Sequence, residues 1–185
     1  MGLLNAYQNA TKDWDAKKDS LSGNQEIPFG DYEVMLNKTD HPVYRSGWDC
    51  LRFDMQIIEG KYASRHEQLR ISLAAKTTKG KPVPEWIMSR NIRTIAKIGE
   101  MVGLEMKPDY FPDNETDAYE KLAEAFKPYE GKRLHMKIVA ATNKNDPNKP
   151  YRNYEFSEGK KIEEPKPEPT DNDDTPEVSD DALPF

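Results

Sequence analysis

Between Gly30 and Phe156 the hydrophobic period changes twice, from two to about 3.6 and back to two, which leaves few architectures open. Tyr32, Val34 and Leu36 alternate with polar residues, the pattern of a half-buried strand. Leu51, Phe53, Met55 and Ile57 repeat it with Arg52, Asp54 and Gln56 opposite, and Leu69, Ile71 and Leu73 make a third run. Helical spacing then takes over. Met88, Ile92, Ile95, Ile98 or Gly99, and Val102 share one face, with Arg90, Arg93 and Lys97 among the polar positions. A shorter helix follows, with Asp117 and Glu120 as a capping box, an apolar stripe of Tyr119, Leu122, Ala123 and Phe126, and a stop at Lys127-Pro128. Leu134, Met136, Ile138 and Ala140 form a fourth strand run, with His135 and Lys137 on the reverse face, and Tyr151 to Phe156 form a fifth.

Three strands, a helical insert and two strands suit a mainly β fold. The five-stranded Greek-key barrel of the OB-fold carries its helix between strands three and four, whereas a sandwich usually needs seven or more strands. The predicted fold is therefore an OB-fold barrel over residues 26–162, flanked by a helical arm at 1–25 and a disordered acidic tail at 163–185. The arm places Leu3, Leu4, Tyr7, Trp14 and Leu21 at loose helical spacing, to pack on the barrel or on a second subunit of a homo-oligomer.

Charge divides along the same boundaries. The chain of 185 residues has a net charge of −6, but the stretch from Glu163 to Phe185 holds nine acids, one lysine, five prolines and no glycine. Such a composition buries too little apolar surface to offset the entropy of ordering. The body is left slightly basic, with its cations concentrated toward its end. No apolar run approaches the roughly 18 residues that span a bilayer, so no membrane partner and a cytoplasmic location are expected. Ala6 stands where a myristoylation signal following Gly2 would have Ser or Thr.

An OB barrel that grips single strands needs cations to track phosphates and aromatic faces on which bases stack. Both belong on strands two and three and on the loops joining strands one to two and four to five. The first loop holds Tyr44, Arg45 and Trp48. The second holds Lys144 and Lys149 and leads directly into Tyr151 and Arg152. Arg52, Arg70 and Lys137 lie out of phase with the apolar residues of their strands and should project outward. Tyr62 and Arg65 in the turn after strand two, and Lys76 after strand three, complete the predicted surface. Taken singly, each cation reads more simply as a solvated charge; their shared address is what favours a binding face.

Other conspicuous residues have plainer readings. Phe53 is in phase with aliphatics and belongs to the core, and Trp86 starts the long helix and packs beneath the barrel. His135 reads as an exposed strand residue of no special chemistry. The acid pairs Asp113 with Glu115 and Asp173 with Asp174 lack partners of another type and read as solvated. One cysteine, Cys50, and three dispersed histidines suit neither a disulfide framework nor a local metal site. With no phosphate-cradling glycine loop and no nucleophile constellation, the sequence presents no catalytic residues and implies no cofactor.

The ending Ser179-Asp180-Asp181-Ala182-Leu183-Pro184-Phe185 closely resembles the acidic tip of bacterial single-stranded DNA-binding proteins, with Ala182 where that family often has a third acid. The body, in Ile27-Pro28-Phe29-Gly30-Asp31-Tyr32-Glu33-Val34, Arg52 to Tyr62 and Gly131-Lys132-Arg133-Leu134, resembles phage-encoded single-strand binders. The resemblance implies a protein that coats single-stranded DNA in phage replication and recombination. It also implies that replication, recombination or repair enzymes are recruited through Asp180, Asp181, Leu183, Pro184 and Phe185. Two alternatives stand beside it: a strand-annealing or recombination-mediator protein, and a protein-binding OB adaptor whose acidic tail mimics DNA.

Overall fold

The computed structural model describes residues 2–11, 26–143, 146 and 149–160. Five strands form one antiparallel sheet: β1 (Gly30–Asp40), β2 (Leu51–Ile57), β3 (His66–Ile71), β4 (Arg133–Ala141) and β5 (Tyr151–Glu158), in the order β3-β2-β1-β4-β5. Helix α1 spans Leu3–Thr11, and α2 (Glu85–Val102) and α3 (Glu115–Phe126) lie between β3 and β4. Among the described residues no helix is long and apolar enough to cross a membrane.

The alternation in β2 is complete: Leu51, Phe53, Met55 and Ile57 are fully buried, while Arg52, Asp54 and Gln56 face outward. Leu36 of β1, Leu134, Met136 and Ile138 of β4 and Phe156 of β5 join them, and α3 closes this core with Tyr119, Leu122 and Phe126. Phe126 meets Phe53 edge to face at 4.9 Å, confirming Phe53 as a core residue. The Tyr119 hydroxyl accepts a hydrogen bond from the Leu73 amide at 2.6 Å, so the end of β3 is tied to α3. Each large side chain of this kind contributes roughly 1.5–3 kcal/mol by leaving water.

Several details differ from the sequence reading. The cap of α3 is Asn114, whose side chain accepts from the amides of Thr116 and Asp117, rather than an Asp117–Glu120 box. Trp86 does begin α2 but is 63% exposed, because its turn lies beyond the edge of the core. Ala140 is exposed, since β4 outruns the apolar layer there. In α1, Leu3, Leu4 and Tyr7 are exposed instead of packed on the sheet; Trp14 and Leu21 lie outside the described residues.

The sheet is not closed into a barrel. Strands β3 and β5 are its two edges, with no ladder between them. Side chains bridge the gap instead: Glu67 of β3 accepts from Arg152 Nε at 3.0 Å and from the Tyr154 hydroxyl at 2.6 Å, both on β5. Arg152 also donates to the carbonyl of Ile27 at 2.7 Å. Inward-facing polar side chains thus occupy the seam where backbone pairing would close a barrel.

Candidate nucleic-acid interface

The loop between β1 and β2 folds as a small hairpin. Val43 and Asp49 form a bridge, the Tyr44 amide donates to the Trp48 carbonyl at 2.8 Å, and Gly47 turns the chain at φ +77°, where a side chain would be strained. Tyr44 and Trp48 therefore face each other across the hairpin and stack, with ring centroids 5.0 Å apart at 27°. The hairpin is anchored at Asp49, whose Oδ2 lies 3.1 Å from His41 Nε2 and accepts from Thr116 Oγ1 of α3 at 3.0 Å. His41 in turn packs on the Tyr119 ring at 5.2 Å.

Cations gather around this pair. Arg70 of β3 lies over the Tyr44 ring at 5.9 Å, and among the described residues its guanidinium donates to neutral Gln68. Arg52 is its direct neighbour in register. Lys76 belongs to a second hairpin closed by the Lys76–Pro82 bridge, and it lines the same open groove as Trp48. Arg45 is exposed at the hairpin tip.

A second group sits at the other end of the β2–β3 hairpin, about 20 Å away along a seven-residue strand. There Lys61 and Arg65 lie over the Tyr62 ring at 5.8 and 5.6 Å, and Tyr62 meets Tyr32 edge to face. Tyr151 and Lys149, both exposed, lie at the start of β5, toward the same end of the sheet. Lys144 lies outside the described residues, as do Asp180, Asp181, Leu183, Pro184 and Phe185.

Two predicted contacts are engaged elsewhere. Arg52 does project outward, but Asp40, across the β1–β2 ladder, grips it through two hydrogen bonds of 2.8 and 2.6 Å. The Arg52 hydrogen bond holds the Asp40 carboxyl below its usual range, against the opposing effect of burial. Arg152 is inward-facing with a side chain only 17% exposed, and it belongs to the seam with Glu67. It is a structural cation. Lys137 is exposed but stands in register between two acids, Asp31 and Glu155.

His135 is not the idle residue its position suggested. Its Nδ1 lies 2.8 Å from Glu33 Oε1 and its Nε2 lies 3.2 Å from Asp31, both on β1, while Glu33 Oε2 accepts from the Lys160 amide at 3.0 Å. The hydrogen bond to Glu33 raises the His135 pKa above its ordinary 6.5, partly offset by burial. Burial pushes Glu33 upward, but the Lys160 amide and His135 outweigh it and hold the carboxyl below 4.5. The His135 contribution to stability is complete below the unfolded pKa and is lost as pH rises through the raised folded value. The Glu33 contribution is present above the unfolded pKa and is lost as pH falls through the lowered folded value. The β1–β4 clasp is therefore strongest between about 4.5 and 6.5. Chemical denaturation at a series of pH values is expected to show a fall in stability as pH rises above about 6.5 that His135→Gln removes; an unchanged alkaline slope in the variant would exclude this clasp as its source.

The sequence reading missed His135 and Asp49 because their partners lie 102 and 67 residues away in the chain. No protein-family model matches the chain, and no curated protein matches it in sequence.

Proposed function

We propose that this chain is a sequence-nonspecific single-stranded DNA-binding protein acting in phage replication and recombination, built as an OB-type barrel whose open β3–β5 seam is bridged by side chains. The strand order, the helices inserted between β3 and β4, and the bulge between Leu36 and Lys38 of β1 support the fold reading. The observation that carries the functional reading is the stacked Tyr44–Trp48 pair with Arg70 over the Tyr44 ring, beside Lys76. Bases stack on any exposed π-face without regard to sequence, and neighbouring cations neutralise their phosphates.

Titration of tryptophan fluorescence with oligo(dT) of about 6 nucleotides tests the reading, because that length covers little more than the platform. On an oligonucleotide long enough to reach both ends of the sheet, three to five phosphate contacts, drawn from Arg45, Arg65, Arg70, Lys76 and Lys149, give a log-log salt slope of roughly −2 to −3.5 at about 0.7 per contact. Salt-independent binding, or none, overturns it.

Asp180, Asp181, Leu183, Pro184 and Phe185 supply the recruiting half of this reading: an aromatic anchor enters an apolar pocket while the aspartates meet a basic rim. Wild type is expected to capture a replication or repair enzyme from host lysate that Phe185→Ala does not. Identical capture by both proteins refutes recruitment through Phe185.

A further inference from the structure

The stripe Trp86, Arg90, Arg93 and Lys97 falls at spacings of four, three and four along α2, which places all four residues on one side of the helix. This side borders the open seam. A cleft of about 440 Å³ runs between β3 and β5, with Arg70 on one wall, Asn153 and Glu155 on the other, and Arg90 and Thr94 along α2. A second cleft of about 280 Å³ adjoins it, sharing Arg90 and Thr94 and adding Arg93 and Lys97. Arg90, Arg93 and Lys97 make no ion pair among the described residues, and Arg90 lies 5.8 Å over the ring of exposed Trp86. Arg152 also reaches the first cleft, but its charge is taken by Glu67. Four available cations thus face one carboxylate, Glu155.

Arg70 joins this seam to the candidate platform, since it lines the first cleft and also covers the Tyr44 ring. We propose that the β3–β5 seam and the α2 stripe form a second phosphate track, along which a single strand leaving the Tyr44–Trp48 platform continues past Arg70 to Arg90, Arg93 and Lys97. This inference rests on the single-strand-binding reading and extends it to helix α2, which contributed no residue to that reading. Arg90 and Lys97 are seven residues apart, about 10 Å along the helix axis, so the stripe lengthens the footprint rather than deepening one contact. The exposed Trp86 ring favours a nucleic acid over an acidic peptide, which uses the cations but has no base to stack.

The test compares full-length wild type with the triple variant Arg90→Gln, Arg93→Gln, Lys97→Gln, on oligo(dT) of about 6 and about 15 nucleotides. The short oligonucleotide is expected to bind both proteins equally. On the long one the variant is expected to lose roughly tenfold in affinity at low salt, and its salt slope to shrink by about 2, the value for three lost single-strand contacts. An unchanged long-oligonucleotide slope overturns the track and leaves the platform standing, whereas failure of wild type to bind either length overturns the underlying reading. Loss of poly-glutamate binding by the variant with unchanged oligonucleotide binding would reassign the seam to acidic peptides, against the proposal. A second protein, carrying Trp14→Phe and Trp48→Phe so that Trp86 is the sole tryptophan, keeps the cations intact. Its emission is expected to be quenched by the long oligonucleotide at saturation and not by the short one; no quenching by the long one also overturns the track.

Discussion

Replacing Tyr44 and Trp48 together by alanine is expected to weaken oligo(dT) binding by about 2–5 kcal/mol, roughly 30- to 5,000-fold, at about 1–3 kcal/mol for each base stacked on the pair. The loss should come without unfolding. Both rings sit on a hairpin and neither belongs to the core cluster that holds Leu51, Phe53 and Met55. Fluorescence anisotropy with a labelled oligonucleotide measures the affinity, and thermal melting checks the fold. A double variant that binds as tightly as wild type would show that the first loop is not the platform. Tyr44→Phe with Trp48→Phe retains π-faces and should keep most of the affinity, which separates stacking from side-chain hydrogen bonding.

Arg152→Ala is expected to act on stability, lowering it by about 3–5 kcal/mol, since it strips the cation from a buried pair and leaves the Glu67 carboxylate enclosed. Glu67 is 9% exposed, and its remaining partner is the Tyr154 hydroxyl, which burial and Glu67 itself push up to about 12 and which stays a neutral donor. The Ile27 carbonyl loses its donor in the same step. Urea denaturation reads the change directly. The folded fraction should bind oligo(dT) with wild-type affinity, because Arg152 is turned inward; unaltered stability with weakened binding would return Arg152 to the DNA-contacting surface.

Much of the fold was legible because burial imposes a period on local sequence. In β2 the inward residues are large and apolar and the outward ones polar at every step, so both strand and phase could be read from seven letters. The reading of β1 faltered after Leu36 for a physical reason: a bulge between Leu36 and Lys38 shifts the register, so that Thr39, polar in sequence, is buried at 5% exposure. Phase also placed Arg52 and Arg70 on the outer face. It could not show that Asp40 would take Arg52, or that Arg152 would turn inward to Glu67, 85 residues away. Ion pairs made across a ladder or a seam depend on which strands become neighbours, and no local period records that choice. The aromatic hairpin was partly legible, since Gly47 between Tyr44 and Trp48 marks a turn, but the stacking of the two rings follows from the bridge between Val43 and Asp49.

Cys50 lies immediately before β2, at the foot of the same hairpin, fully buried, with its thiol pushed up to about 11 by burial. A thiol so placed offers almost no thiolate near neutral pH and no path for a reagent while the strand is seated. Its alkylation under native conditions must wait for β2 to lift, and the labelling rate then counts those openings. The chain's one sulfhydryl thereby serves as an internal clock for local breathing beneath the aromatic pair, readable by mass alone and without any engineered residue.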